Sequence, residues 1–411
     1  MTRLARRLTL PDAVVIGLGS MIGAGVFAVW APAAAVAGGG LFVGLGLAAL
    51  VAYCNATSSA QLAAAYPTSG GTYVYGREVL GEWWGFLAGW GFVIGKTASA
   101  AAMALTFAAY LVPAGWWQRP LAALAVVALV AVNYHGVTRT AFLTRVIVSV
   151  VLVVLTWVVV ATWSSWTPGV WDGVVLAEGG PYGVLQSAGL LFFAFAGYAR
   201  IATMGEEVVS PRATIPRAIL IALGLAVVVY VLVGTGVVGA VGTRALASST
   251  APLVDAVGGG SWQAWIVRLG GAVASLGALL ALVAGIGRTS LAMARNGDLP
   301  RGLAAVHPRY HVPHVAEIAL GVVVALLVLA VDLRGVIGFS SFGVLLYYFV
   351  ANLAALRQAE GRMFPRWLQV LGVVLCAVLV VTLPWQSVAV GVAVYAVGVV
   401  GRILVLRQAA G

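Results

Sequence analysis

Two apolar segments of the sequence contain residues that would interrupt a helix in the middle of a membrane. Residues 17–27 read GLGSMIGAGVF, with four glycines inside a long hydrophobic run, and residues 192–198 read FFAFAGY. Backbone polar groups in a bilayer must be satisfied internally, so a broken helix persists only where it is buried in protein or lines a cavity. Paired interruptions in the two halves of a membrane protein indicate a substrate site at the midplane and predict a secondary transporter.

A single lysine, Lys96, lies midway along another apolar run and could couple charge movement to transport. The other 22 basic residues are all arginine, and the twelve carboxylates fall in loops or at the ends of apolar segments. An ionisable residue inside a span is costly and indicates function. A desolvated lysine can release its proton, whereas arginine does not.

Three roles remain open for Lys96 at this point. It exchanges a proton and couples transport to the proton gradient, which is the role we favour. Alternatively, it stays charged and either pairs with a substrate carboxylate or stands in for a sodium ion. The third role is that of a static ammonium group held by the carbonyls of a broken helix.

The elements that must position these residues are membrane-spanning helices. Of the 411 residues, 62% are hydrophobic and 9% are charged, which excludes an ordinary soluble domain. A span needs roughly 20 apolar residues, and the sequence contains twelve such stretches. Their approximate bounds are 13–36, 41–64, 84–112, 120–135, 142–163, 184–204, 216–241, 264–286, 315–332, 335–355, 367–383 and 386–406. The pattern predicts an all-α polytopic membrane protein, with residues 1–411 in one transmembrane domain and with helices 1 and 6 discontinuous.

The distribution of basic residues predicts how the chain is oriented in the membrane. Eighteen of the 23 Lys and Arg residues fall in the termini and in alternate loops, and the four on the other side are Arg119, Arg244, Arg268 and Arg334. By the positive-inside rule, both termini are cytoplasmic. The N-terminus lacks a clean cleavage site and is expected to be retained. We expect a multi-pass protein of the plasma membrane, in a bacterial cell membrane, and the sequence leaves the oligomeric state open.

The remaining reactive residues predict no metal, no cofactor and no enzyme. Cys54 and Cys376 lie within apolar spans, where a thiol behaves as a small hydrophobe. His307, His311 and His314 share one loop without a Cys or acidic cluster beside them, which disfavours zinc. The basic residues are dispersed over short loops, so they form no groove for nucleic acid. A polytopic membrane enzyme stays a distant alternative, because it would need a catalytic cluster near the interface.

Four motifs carry a resemblance to a known family. In chain order they are GSMIGAGVF at 19–27; YPTSGGTYVY at 66–75 with Gly81 and Gly89; FFAFAG at 192–197 leading into EEVVSP at 206–211 and IPRA at 215–218; and AMARNGDLP at 292–300. Together they resemble the amino acid–polyamine–organocation (APC) permeases over about the first 300 residues. The resemblance implies the LeuT-type fold: inverted repeats over about 12–163 and 184–355, and two appended helices over about 366–406.

An amino acid substrate explains why the interruptions would be useful. Its carboxylate and ammonium share one carbon, so a receptor needs backbone donors and acceptors a few ångströms apart, and an unwound helix exposes both. The following half-helix adds positive dipole for the carboxylate, and glycines admit the ligand closely. We predict that the first cradle comprises Met21, Ile22, Gly23, Ala24 and Gly25. The second supplies carbonyls to the ammonium and comprises Phe193, Ala194, Phe195, Ala196 and Gly197; the resemblance implies that Phe193 or Phe195 closes over the ligand.

The expected substrate follows partly from missing groups. A pocket for a cationic side chain should contain a carboxylate, and no span offers one at mid-depth. We therefore predict a proton-coupled symporter of small or medium neutral L-amino acids. An amino acid exchanger remains an alternative, as does a transporter of acidic amino acids with Lys96 as a fixed charge. Some relatives carry a coupling lysine in the fifth span, whereas this chain reads VSVVL at 148–152, so that mechanism does not carry over directly.

Overall fold

The structure is a computed structural model that describes residues 8–67, 70–135, 141–166, 170 and 178–410. Within those ranges the chain forms helices and no strands, and one isolated backbone bridge joins Leu8 to Val208. The first ten helices are α1 (Leu10–Ile22), α2 (Gly25–Ala28), α3 (Trp30–Ala37), α4 (Leu41–Ala65), α5 (Gly71–Leu80), α6 (Glu82–Leu111), α7 (Gln118–Tyr134), α8 (Ala141–Ser164), α9 (Gly180–Phe195) and α10 (Ala199–Ala202). The other seven are α11 (Pro211–Ser248), α12 (Pro252–Ala256), α13 (Trp262–Arg295), α14 (His314–Ala330), α15 (Leu333–Arg357), α16 (Arg366–Thr382) and α17 (Trp385–Ala410).

The helices have the length and composition of membrane spans. Across the described parts of the chain, nine helical segments are long and apolar enough to cross a bilayer. Three shorter apolar helices, α7, α14 and α16, have 17 residues each, which is close to the lower limit of roughly 17 residues for a span. The protein is therefore an all-helical polytopic membrane protein.

Two helices extend well beyond their predicted apolar bounds. Helix α13 continues to Arg295, past the predicted end at residue 286, and α11 begins at Pro211 and runs to Ser248. Hydropathy marks the hydrocarbon-facing part of a helix, whereas the backbone hydrogen bonds continue into the interfacial region. Gly242 lies inside α11 with φ of 75°, and this left-handed residue kinks the helix just after the predicted span ends.

Both apolar segments, residues 17–27 and 192–198, are interrupted at the predicted positions. Helix α1 stops at Ile22, and α2 resumes at Gly25. Helix α9 stops at Phe195 and passes into a 3-10 turn, Ala196–Tyr198, before α10. Each break frees backbone groups that a continuous helix would pair within itself.

The interior of the molecule is where the polar side chains are found. Helix α6 packs against α13 and α15, and α4 packs against α9 and α11, so the interrupted segments lie inside a layer of other helices. Asn55, Gln61 and Asn352 are fully buried, whereas α17 exposes Val390, Val397 and other aliphatic side chains. A polar interior with an aliphatic exterior is the arrangement expected of a protein whose surroundings are lipid.

Candidate functional site

The two interruptions lie directly against each other. A Cβ added to Gly25 would come within 2.8 Å of Ala194 Cα, and one added to Gly197 would overlap the backbone of Ser20 and Met21. Both positions therefore require glycine, because the two interrupted segments approach each other too closely for a side chain. The structure thus brings together the two predicted sets, Met21–Gly25 and Phe193–Gly197, in a buried region where Phe193 is the most exposed of the hydrophobic members, at 8%.

Tyr230, on α11, bridges the two interruptions. Its Oη lies 2.9 Å from the Met21 carbonyl oxygen and 2.8 Å from the Ala194 carbonyl oxygen, so one hydroxyl donor serves two carbonyls at helix ends. Its ring packs edge-to-face on Phe195 at 4.8 Å. The sequence analysis missed this residue. The available signal was a lone tyrosine within the aliphatic run LAVVVYVLV at 225–233.

Lys96 reaches the second interruption from α6. Its Nζ donates to the carbonyl oxygen of Ala196 at 3.2 Å, and the residue is only 8% exposed. Among the described residues, Lys96 has this one hydrogen-bond partner and no carboxylate partner. A buried ammonium with one carbonyl partner is incompletely satisfied, because it can donate three hydrogen bonds. Lys96 therefore donates to the Ala196 carbonyl, which is one of the carbonyls predicted to bind the substrate ammonium.

The three phenylalanines of the second interruption differ in their surroundings. Phe192 packs on Tyr348 with ring centroids 5.8 Å apart, and Phe195 packs on Tyr230. Phe193 has no such ring contact within the described part of the chain and retains some exposure. Of the two candidates for closing over a ligand, Phe193 is therefore the less constrained side chain.

Behind the second interruption, a polar network fixes α4 to α15 and α16. Asn352 Nδ2 donates to Asn55 Oδ1 at 2.6 Å, and Ser58 Oγ donates to Asn352 Oδ1 at 2.7 Å. The Cys376 thiol also donates to Asn55 Oδ1, at 3.3 Å. Buried polar networks of this kind hold their members in a unique arrangement. The interrupted segment α9–α10 packs against the helices that this network joins.

A small cavity lies beyond α10, on the side of the bundle where α5 packs. It measures about 10 Å³ and is lined by Gly70, Tyr73, Phe92, Thr203, Thr289 and Tyr347. The backbone N–H of Thr72 donates to Tyr347 Oη at 3.1 Å, and Gly71 adopts φ of 55° beside that hydroxyl. The volume is comparable to the room needed by one water molecule. The start of α5 therefore packs closely against Thr203 and Tyr347 at this side of the bundle.

An ion cluster anchors α5 at the same end of the bundle. Asp298, in the loop after α13, forms an ion pair with Arg402, whose Nε lies 2.8 Å from Asp298 Oδ1, and accepts hydrogen bonds from Tyr73 at 2.7 Å and Arg77 at 3.2 Å. Burial raises the pKa of the Asp298 carboxyl, while the hydrogen bond from Tyr73 and the charges of Arg402 and Arg77 oppose that rise. The cluster ties α5 and α17 to the end of α13.

The facing interruptions within a polytopic helical protein define a membrane transport protein, and comparison with known proteins identifies its family. Residues 8–402 match the amino acid permease family. An uncharacterized transporter of Mycobacterium tuberculosis is 58% identical over 99% of this chain and 93% of its own length. The human cationic amino acid transporter 4 is 32% identical over 85% of this chain and 59% of its own length. The branched-chain amino acid permease BcaP of Bacillus subtilis is 27% identical over 86% and 81%.

This chain belongs to the amino acid permease family. The predicted resemblance to the APC permeases is thereby confirmed, and so is the prediction that the protein is a permease and not an enzyme. The family match extends to residue 402 and so includes the last helix, whereas the four sequence motifs covered about the first 300 residues.

Proposed function

We propose that this protein is a secondary active amino acid transporter that binds its substrate between the two interruptions and works by alternating access. The observation that carries the proposal is the close approach of the two broken segments at Gly25 and Gly197, in a chain of the amino acid permease family. Two helix breaks that face each other offer N–H and C=O groups outside the helical hydrogen-bond pattern to one small zwitterion, and three of the carbonyls already accept from Tyr230 or Lys96. Met21–Gly25 would bind the carboxylate and amine, and Phe193–Gly197 would supply carbonyls.

We propose further that the chain has twelve spans in two inverted repeats of five, followed by two appended helices. Counting α1–α3 as one span and α9–α10 as another, the apolar helices number twelve in the described ranges. Each proposed repeat begins with an interrupted span, and in each a short helix, α5 or α12, follows the second span. The charge asymmetry of the loops supports cytoplasmic termini in a bacterial plasma membrane.

The proposed substrates are small or medium neutral L-amino acids. The ten cradle residues include no carboxylate, and the Lys96 ammonium lies next to the Ala196 carbonyl, so a cationic side chain would meet like charge there. Among the relatives, the name of BcaP gives branched-chain amino acids and that of transporter 4 gives cationic amino acids. Branched-chain amino acids, which are neutral, agree better with the chemistry of this site than cationic ones do.

A second candidate, transport of acidic amino acids, is favoured by one observation. Lys96 is buried without a carboxylate partner among the described residues, so an acidic substrate side chain could supply the missing charge. If Lys96 stays charged in this way, the protein would not need to move a proton through it.

For coupling, we propose that Lys96 gains and loses a proton as the site changes its exposure. When protonated, it holds the Ala196 carbonyl of the second interruption; when neutral, it holds that carbonyl more weakly and leaves it free for the substrate ammonium. Proton binding at Lys96 and substrate binding at Ala196 would then compete for one backbone atom, so this linkage favours exchange of a proton for substrate over the symport predicted from the sequence.

A ligand screen tests the proposed function. The purified protein is heated with each of the twenty amino acids, with polyamines and with nucleobases, and the unfolding temperature is recorded. Ligands that bind the folded state raise that temperature by an amount that grows with the logarithm of their concentration relative to Kd. We expect stabilisation by neutral amino acids. Stabilisation by aspartate and glutamate alone would select the second candidate, and stabilisation only by nucleobases or polyamines would contradict both.

A further inference from the structure

A long groove runs along the outside of the bundle, apart from the proposed substrate site. It encloses about 570 Å³ between α6, α14, α15 and α17. Representative lining residues are Ile94 and Ala98 on α6, Leu320 and Val323 on α14, Val336 on α15 and Val390 on α17. Val323 is 48% exposed and Val390 is 53% exposed, so the groove is open along its side.

The surface of the groove is hydrocarbon. Its lining is predominantly Val, Leu, Ile, Ala and Phe, and the polar group of Thr97 is already satisfied, because its hydroxyl donates to Val93 O at 2.7 Å. Trp90 likewise donates its ring N–H to Val394 O at 3.1 Å. Such a surface at membrane depth offers little to a polar solute and fits an aliphatic chain.

The groove extends along nearly the whole of α14. From Ala316 to Val331, just after the end of that helix, the lining residues cover a rise of roughly 22 Å at about 1.5 Å per residue. The hydrocarbon core of a bilayer is about 30 Å thick, so this distance is well over half of it. An acyl chain that starts at one interface would therefore lie in the groove past the midplane.

One end of the groove is cationic. Leu299, Pro300 and Leu303 line that end, and Arg301, between them, is exposed, as is Arg295. The nearby carboxylates, the buried Asp298 and the exposed Glu82, are both paired with Arg77 and Arg402, so their charges are balanced within that cluster, and Glu317 is 2% exposed. At the other end of the groove, Arg334 is accompanied by the exposed Asp332. The charge asymmetry favours an anionic headgroup at the Arg301 end.

We propose that the groove is a binding site for one anionic phospholipid, with an acyl chain between α6 and α14 and the headgroup phosphate at Arg301. The chain would lie against Ile94 and Ala98, which flank Lys96 on α6. The lipid would thus support the helix that carries Lys96, on the side away from the substrate.

Native mass spectrometry with matched variants tests this site. The full-length protein is equilibrated with phosphatidylglycerol and phosphatidylcholine, and the retained lipid is counted. We expect one retained phosphatidylglycerol, lost in Val323→Trp, which fills the groove, and kept in Val322→Trp, whose side chain lies on the same helix and is 56% exposed outside the groove. Arg301→Gln should lower the preference for phosphatidylglycerol about fivefold, the equivalent of ~1 kcal/mol, whereas the exposed Arg212, on α11, serves as the matched control through Arg212→Gln.

A second measurement needs no variant. Phosphatidylglycerol with a photoactivatable group on its acyl chain is crosslinked to the wild-type protein, and the modified peptides are sequenced. We expect modification of α14 around Val323 and of α6 around Ile94. Equal lipid retention by the Val323→Trp and Val322→Trp proteins, or crosslinks spread evenly over the exposed helices, would overturn the proposal. A dimer that dissociates only in Val323→Trp would assign the groove to a second copy of the chain and would overturn it as well.

Discussion

The hydroxyl group of Tyr230 gives the sharpest test of how the two interruptions are held together. It lies 2.9 Å from Met21 O and 2.8 Å from Ala194 O, and both carbonyls are at helix ends. The change Tyr230→Phe removes the donor but keeps the ring that packs on Phe195. The two chain segments would then lose the polar contact through which α11 holds both of them.

The size of the effect follows from the number of hydrogen bonds lost. One hydroxyl proton serves two buried carbonyls, so its removal leaves the pair short of one donor. Tyr230 is 1% exposed, which prevents water from replacing the hydroxyl without rearrangement. A buried acceptor left without a partner costs about 1–3 kcal/mol. If the same carbonyls shape the substrate cradle, the apparent affinity should fall about fivefold or more, which corresponds to the lower figure.

The assay compares two tyrosine variants by substrate binding and by thermal unfolding. Tyr395→Phe is the control, because Tyr395 Oη also donates to a backbone carbonyl, that of Leu87 at 3.2 Å, but between α17 and α6. We expect Tyr230→Phe to lower both affinity and unfolding temperature, and Tyr395→Phe to leave affinity unchanged. Wild-type affinity in Tyr230→Phe, or an equal loss in Tyr395→Phe, would refute the bridging role.

Three further predictions concern coupling, closure and anchoring. In proteoliposomes, Lys96→Met should abolish the response of uptake to an imposed pH gradient, while exchange at equilibrium survives. Lys96→Arg should also fail to couple uptake to the gradient, because arginine does not release its proton. Normal pH-driven uptake by the arginine variant would mean that a fixed charge suffices. Phe193→Ala should raise the apparent KM about tenfold, as expected for the loss of a buried aromatic contact with the substrate, and Phe339→Ala should raise it less. Equal changes in KM in uptake assays would argue against Phe193 as the closing residue. Asp298→Asn should destabilise the protein by about 3–5 kcal/mol, because it leaves the buried Arg402 with only the more distant carboxylate of Glu82, at 3.8 Å. Glu82→Gln, at a carboxylate 65% exposed, should cost less than about 1 kcal/mol. Thermal unfolding that ranks the two in the opposite order would contradict the anchoring role.

The helix interruptions could be predicted from the sequence because their cause is local. Four glycines inside an apolar run weaken the first helix where they stand, and its break falls at Gly23. The second break begins at Ala196, directly before Gly197, the single glycine of the FFAFAG segment. The sequence also indicates that Lys96 is functionally important, because it is the only lysine and lies within a span. Its contact with Ala196, 100 positions away, depends on how α13 and α15 position α6 beside the second interruption, which no local pattern encodes.

The partners of Tyr230 and Asp298 could not be predicted, because both depend on the rotation and packing of distant helices. Tyr230 was one aromatic residue in an aliphatic span, and nothing in its neighbourhood indicates that it faces two helix ends. Asp298 lies in a loop, where a carboxylate is usually solvated, yet it is buried because Arg77 and Arg402 converge on it from opposite parts of the chain. Such contacts arise from the tertiary fold.

Equilibrium binding of a labelled neutral amino acid to glycine variants tests the central claim most directly. Gly25→Leu places a side chain where a Cβ would already lie 2.8 Å from Ala194 Cα, in the space between the two interruptions. Gly46→Leu, on the exposed face of α4 with open space around it, is the matched control. With both variants monodisperse and membrane-inserted, we expect binding to be abolished in Gly25→Leu and preserved in Gly46→Leu. Wild-type binding by Gly25→Leu would contradict a substrate site between the two interruptions.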